Sequence, residues 1–320
     1  MKLVYDFFMD EFDFIKKYFQ PLTSSIGRKL QDDAAVYRPE ANKEIVITTD
    51  SLVEGIHFFG SENPKHIAQK ALRVNLSDIA SMGAVPLFYN LAINIPKKNV
   101  KLFLPKFVEG LKADQETFNI QLIGGDLTSS RKDIHITVTM FGHIPFGEAV
   151  GRNTAKDKDD LYVTGKLGLS KIGLENFFSK SILFNEAKKK YLLPNPRVKV
   201  GILLRKIVNS MIDISDGLVQ DSSHLAFNSG LCLEIDLNSL PISFCYPISQ
   251  HVMVDYALYG GDDYELLFSC NPNKIDLIKQ LSLETNIEFT KIGKFYKCLK
   301  PSLRFKDSNI IPKKLSYNHF

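Results

Sequence analysis

Apolar positions along this chain follow two rhythms, and acids collect where one rhythm gives way to the other. Residues 44–50, Glu-Ile-Val-Ile-Thr-Thr-Asp, form a β-branched run that reads as a strand ending in an acid. Gln121 to Asp126 and Asn209 to Asp213 repeat that layout more loosely, and residues 134–144 read as another strand. Helical spacing marks residues 64–82, 99–118, 168–179, 197–208, 217–228 and 272–285, with Pro196 suited to a first helical turn. Mixed order of this kind predicts an α/β chain. The Ile144-Pro145-Phe146-Gly147 segment separates two series of elements, which predicts domains at residues 1–146 and 147–320.

The 320 residues, 44% hydrophobic, are enough for a substantial core and for about two domains. Asp10, Glu11 and Asp13 interrupt the first residues, so no signal segment is expected, and no run approaches the length of a membrane span. The four cysteines, Cys232, Cys245, Cys270 and Cys298, lack paired spacing, which predicts reduced thiols in a cytoplasmic protein. The net charge of +4 comes from scattered lysines with only short clusters, such as Lys188-Lys189-Lys190. Nucleic acid would call for a basic face interleaved with aromatics, so it is not expected as a partner, and neither is a membrane.

The acids carry the chemistry. Asp32 and Asp33, Asp50, Asp126, Asp213 with Asp216, and Asp262 with Asp263 lie beside apolar runs, without a matching number of nearby Lys or Arg. Carboxylates so placed are costly unless a cation meets them. Oxygen donors without a His or Cys cluster favour Mg²⁺ over zinc, and Mg²⁺ on a few carboxylates commonly shares its shell with substrate phosphates. Phosphoryl transfer is the chemistry this implies.

Each segment also has a structural alternative. Helical spacing sets Asp78 on a stripe with Ile67, Ala71, Val74 and Met82, as a ligand or as a cap for a neighbouring loop. Thr48-Thr49-Asp50-Ser51 offers hydroxyls and a carboxylate together, or an ordinary turn. Gly124-Gly125-Asp126 permits close backbone approach to a phosphate or metal, or simply makes a turn. Asp213 and Ser215 alternate with Ile212 and Ile214, and Gly217 opens a helix whose N–H groups favour an anion. Asp262 and Asp263 crowd one another in a glycine turn, and Glu265 is expected to alternate outward. Neither GxxxxGK[ST] nor GxGxxG occurs, so the common nucleotide cradles are absent. His57 reads as a packing or hydrogen-bonding residue rather than a base, and Arg152 as a phosphate contact or a surface arginine.

In order, these segments resemble the thiamine-monophosphate kinase family. The resemblance rests on Asp32-Asp33-Ala34-Ala35-Val36, Thr48 to Phe58, Lys70 to Ala84, Gly124-Gly125-Asp126 and Gly151-Arg152. It continues with Ile212 to Leu218, Gly261 to Leu266 and Tyr317-Asn318-His319-Phe320. It implies Asp33, Thr48, Thr49, Asp50, Asp78, Asp126, Asp213 and Asp216 as Mg²⁺ ligands, Gly125, Asp126, Arg152 and Ser215 as ATP contacts, and His57, Asp262 and Tyr317 as substrate contacts. It also implies a two-domain α/β (α+β) fold like that of aminoimidazole-ribonucleotide synthetase. The N-terminal mixed sheet with helices would bind ATP and pair in a homodimer, and the C-terminal α/β domain would complete the active site. Two departures stand out: Gln31 replaces the usual glycine before the paired acids, and Asp262 replaces the usual Glu.

The expected reaction is ATP-dependent phosphorylation of thiamine monophosphate to thiamine diphosphate. A phosphate acceptor is largely ionised at neutral pH, so neither a general base nor a covalent nucleophile is expected. The rival expectations are another ATP-using enzyme of the same superfamily with a different acceptor, and a catalytically silent sensor of nucleotide or thiamine phosphates.

Overall fold

The structure is a computed structural model that describes residues 9–306, so Tyr317 lies outside the described residues. In chain order the elements are α1 (Glu11–Phe14), β1 (Lys43–Val53), α2 (Pro64–Ser81), β2 (Val85–Pro96), α3 (Val100–Phe118), β3 (Gln121–Ser130) and β4 (His135–Pro145). There follow β5 (Asp160–Thr164), α4 (Leu169–Glu175), α5 (Asn185–Leu192), α6 (Val198–Leu204), β6 (Ser210–Asp213), α7 (Leu218–Asn228) and β7 (Cys232–Ile235). The series closes with α8 (Gln250–Tyr259), β8 (Leu266–Cys270), α9 (Ile275–Thr285), β9 (Phe289–Tyr296) and β10 (Ser302–Phe305). Contacts divide the chain into two units. Among the described residues, one comprises 9–41, Ile47–Asn75 and Pro86–Gly142, and the other Asn42–Val46, Leu76–Val85 and 143–306.

The first unit holds most of a sheet ordered β1-β4-β2-β3. Strands β2 and β3 run parallel, with Leu91 opposite Gly125 and Ala92 opposite Asp126. A Cβ on Gly125 would collide with the Leu91 carbonyl, so the glycine is required by the neighbouring strand itself. Helices α2 and α3 pack so closely that a Cβ on Gly110 would strike the Lys65 carbonyl. Buried Asp114 of α3 ties the pair together, accepting from Arg73 Nε at 2.7 Å and from Gln69 Nε2 at 2.8 Å.

Sequence placed Asp50 and Asp126 at strand ends, whereas both lie inside strands, because β1 runs on to Val53 and β3 to Ser130. Only Asp213 closes its strand. Asp126 is exposed on its strand, whereas Asp50 is half-buried on the side of β1 that carries Thr48 and buried Leu52.

The second unit contains a sheet ordered β10-β7-β9-β5-β8-β6. Strand β5 pairs antiparallel with β8 and β9, β6 with β8 and β7 with β9, while β10 runs parallel to β7. Alternate residues supply two apolar layers. Leu161, Val163, Ile212 and Leu267 pack with α7 and α8, and Tyr162, Met211, Leu266 and Phe268 pack with α6 and α9. Every residue of β5, β6 and β8 is buried, so the polar-apolar alternation of a one-sided strand is missing there.

Cys232 and Cys298 form a disulfide, contrary to the reduced thiols expected, while Cys245 and Cys270 are free. Their separation of 66 residues hides the pair in the sequence; the adjacency of β7 to β9 brings it together. Among the described residues, no helix is long and apolar enough to cross a membrane.

Candidate functional site

In the first unit, a cavity of about 210 Å³ is lined by Asp32, Asp33 and Asp126, by the glycines Gly124 and Gly125, and by an apolar wall that includes Phe12, Ile15, Phe19, Leu91 and Leu122. It thus gathers three predicted residues, Asp33, Gly125 and Asp126. The chain reaches the paired acids through three consecutive left-handed residues, Arg28, Lys29 and Leu30, at φ 48°, 56° and 55°. Arg28 Nη1 lies 2.6 Å from Asp32 Oδ2, so one of the two acids already has a cationic partner.

Strand β1 divides its candidates by the pleat. Thr48 and Asp50 share one face, whereas Thr49 and Ser51 lie on the other and bond across to β4. Thr49 Oγ1 donates to Thr139 Oγ1 at 3.0 Å, and the Ser51 and Thr137 hydroxyls are 2.7 Å apart. The Thr49 side chain therefore does not join Thr48 and Asp50. Beyond the strand, His57 Nδ1 accepts the Val53 N–H at 3.0 Å, which places the proton of the neutral ring on Nε2.

In the second unit, Asp213 is 2% exposed, and its Oδ2 accepts from the Ser77 hydroxyl at 2.7 Å. Ser77 precedes Asp78, so two candidate ligands are linked through one hydroxyl and one peptide bond. Asp216 Oδ2 accepts from Gln220 Nε2 at 2.7 Å. The N–H groups of the segment that leads into the helix are held by the chain itself. Asp221 Oδ2 accepts from Ser215, Asp216 and Gly217 at 3.2, 3.2 and 3.1 Å. Burial, followed by repulsion from Asp213 and Asp216, raises the Asp221 carboxyl well above the ordinary range. Arg152 is exposed, and the Gly151 carbonyl beside it accepts the Met211 N–H of β6 at 3.2 Å.

The turn before β8 lies alongside this loop. Asp262 and Tyr264 donate their N–H groups to the Ser215 and Ile214 carbonyls, both at 2.8 Å, and a Cβ on Gly261 would crowd Ser215. Asp262 and Tyr264 both take left-handed backbone, and the Tyr264 hydroxyl donates to Asp262 Oδ1 at 3.1 Å. Burial pushes the Asp263 carboxyl up to about 7, although the Gly168 N–H at 2.8 Å and the charge of Lys190 oppose the rise. Glu265 turns inward rather than outward, to Lys190, Arg197 and Thr164. Ser77, Asp221, Lys190 and Arg197 had no separate signal in the sequence, because each acquires its role from a partner that the fold supplies.

Among the described residues, no group of three or more His, Cys, Asp and Glu is gathered closely enough to hold a metal ion. The candidates therefore form small acidic loci, of which Asp213, Asp216 and Asp262 are braced by hydroxyl or amide donors.

Residues 31–144 match the family model for the AIR synthase related protein, N-terminal domain. The thiamine-monophosphate kinase of Buchnera aphidicola subsp. Acyrthosiphon pisum (strain APS) is 36% identical over 322 residues, covering 97% of this chain and 98% of that protein. The chain belongs to the thiamine-monophosphate kinase family. The family member of Bacillus subtilis (strain 168) is 33% identical over 325 residues, covering 98% of this chain and 100% of that one. The solved structure of AaThiL complexed with AMPPCP and TMP superposes with a TM-score of 0.78 at 29% identity, covering 98% of this chain and 100% of that chain. The fold is accordingly the α+β arrangement of AIR synthase-like proteins that the sequence predicted.

Proposed function

We propose that this protein transfers the γ-phosphoryl group of ATP to the phosphate of thiamine monophosphate, releasing thiamine diphosphate and ADP. Its place in the thiamine-monophosphate kinase family and its likeness to a family structure complexed with AMPPCP and TMP support the assignment. The observation that carries it is the cavity in which Asp33 and Asp126 meet bare glycine backbone and an apolar wall. That combination suits a nucleotide: a flat apolar base, and phosphates brought to acids through cations. Gly125, Asp126, Arg152 and Ser215 are assigned to ATP, and His57 and Asp262 to the acceptor.

The donor set fits Mg²⁺. Its ligands would be Asp33, Thr48, Thr49, Asp50, Asp78, Asp126, Asp213 and Asp216, all hard oxygens; the Thr49 hydroxyl, which donates to Thr139, would have to offer the ion a lone pair. The repulsion that Asp213 and Asp216 exert on Asp221 is a charge imbalance that a cation would relieve. Small loci also suit an ion that binds one or two carboxylates and completes its shell with water and phosphate. Bound there, Mg²⁺ would neutralise the repulsion between two polyanions. The protein's own residues bind, align and shield the reactants, and an ionised acceptor phosphate needs no base.

Pairing of two copies through the first unit is part of this proposal. Strand β1, 11 residues long, lies at an edge of its sheet, and Ile47 within it is 60% exposed. An open edge with apolar surface is a liability that a second copy would cover. The deciding experiment incubates purified protein with ATP, Mg²⁺ and a panel of phosphate acceptors. Formation of thiamine diphosphate is expected; robust turnover of another acceptor with none of thiamine monophosphate would overturn the assignment.

A further inference from the structure

We propose that Asp221 is a positioning residue of the phosphoryl-transfer site, acting as an internal hydrogen-bond acceptor that fixes the main chain from Ser215 to Gly217, beside Asp213 and through Asp216. This rests on the assignment of those two acids to Mg²⁺. The helix α7 is preceded by Gly217 as its N-cap, whose φ of 119° suits glycine and which has no side chain to make a capping hydrogen bond. A Cβ there would also press on the backbone of Leu258 and Tyr259 at 3.1 Å. The side chain that holds the segment leading into the helix comes instead from within the helix. Asp221 reaches back one turn and gathers the N–H groups of Ser215, Asp216 and Gly217 on a single oxygen.

Three successive N–H groups converging on one point form a concavity selective for an anion. With the carboxylate 2% exposed, bulk water is not positioned to replace it. The consequence is directional. Asp213 is braced on one side by Ser77, Asp216 is braced by Gln220, and Asp221 holds the N–H groups of Ser215, of Asp216 itself and of the Gly217 that follows it. Ser215, assigned to ATP, lies in that same span. Ligand spacing in this locus is therefore dictated by a residue that need not touch metal or phosphate.

The test uses the full chain with Asp221→Asn, which keeps one carbonyl oxygen as acceptor, and Asp221→Ala, which keeps none. Thiamine diphosphate formation is followed against Mg²⁺ concentration, and calorimetry follows Mg²⁺ binding in the presence of AMPPCP. A positioning role predicts that Asp221→Ala raises the half-activating Mg²⁺ concentration about tenfold or more, with Asp221→Asn partly rescuing it and the KM for thiamine monophosphate unchanged. Helix stabilisation alone would lower the melting temperature and the amount of active protein without moving the Mg²⁺ requirement. Wild-type turnover with the same Mg²⁺ requirement in the folded variants overturns the role of Asp221. Should the alanine variant fail to fold, the asparagine variant decides. A wild type inactive on thiamine monophosphate, yet weakened in Mg²⁺ binding by Asp221→Asn, would overturn the acceptor and support the positioning role.

Discussion

Arg197 grips Glu265 through two hydrogen bonds, Nε to Oε2 at 2.6 Å and Nη2 to Oε1 at 2.7 Å. Lys190 Nζ adds a third contact at 2.7 Å, and the Thr164 hydroxyl a fourth at 2.7 Å. Burial alone would raise this carboxyl, but Lys190 and Arg197 outweigh it and hold the group below the ordinary range. The cluster anchors the turn that carries Asp262, since Glu265 in turn accepts the Ile214 N–H on its carbonyl at 2.9 Å.

Replacing Glu265 by Gln leaves two nearly buried cations, 14% and 13% exposed, without their anion. Removal of one partner from such a network costs about 3–5 kcal/mol. The lowered carboxyl pKa sets the sign of the pH dependence. The stabilisation is present above the pKa of the unfolded carboxyl and fades as pH falls through the lower folded value. Denaturant unfolding should show Glu265→Gln far less stable than wild type at pH 7, with the gap narrowing in acid. Equal midpoints at pH 7 would show that the pairing contributes nothing.

Asp263 behaves oppositely. Its carboxyl rises from an ordinary 3.8 to about 7, so between those values the folded protein holds a proton that the unfolded chain has released. Stability contributed by this group therefore falls as pH climbs from about 4 to about 7, and then levels off. Asp263→Asn keeps an oxygen for the Gly168 N–H and removes the titration. Relative to wild type, the variant should gain stability from about pH 4 to about pH 7 and hold a constant advantage above that. Parallel stability curves across that range would place the raised pKa elsewhere.

What could be read from the sequence follows from which contacts are local. The runs of β1, α2, α3, β3 and β4 carried their own period, and the acidic motifs were visible because each lies within a few residues of its own glycine or hydroxyl. Strand β5 was hidden by burial on both faces, which erases alternation. The inward turn of Glu265 was equally hidden, since Lys190 and Arg197 lie 75 and 68 residues away in sequence. At the helix start marked by Gly217, the preceding N–H groups of Ser215, Asp216 and Gly217 go to Asp221 of the same chain, a partner supplied by the fold.

Ser77→Ala tests whether hydroxyl bracing matters to the acidic locus. The hydroxyl and Asp213 are both buried, so its removal leaves a carboxylate oxygen without this donor at little cost in volume. Partners of this kind typically affect metal affinity or activity by about 10–100-fold. Turnover should fall within that range at limiting Mg²⁺ and recover partly at high Mg²⁺, while circular dichroism stays unchanged. A loss that no Mg²⁺ concentration relieves would assign Ser77 to packing.

Adjacent glycines allow backbone demand to be separated from ligand demand. At Gly125, a Cβ would drive into the Leu91 carbonyl of β2, and main chain in a paired strand cannot retreat. At Gly124, the nearest atom is the Asn90 side-chain oxygen at 3.0 Å, which can turn aside. Gly125→Ala should therefore destabilise the protein by about 1–3 kcal/mol through strain between β2 and β3, with nucleotide affinity falling as the cavity wall shifts. Gly124→Ala should leave unfolding nearly unchanged and act, if at all, on nucleotide binding alone. Thermal unfolding of both variants, with and without AMPPCP, reads the two effects separately. Equal destabilisation by the two alanines would refute the claim that β2 sets the requirement at Gly125.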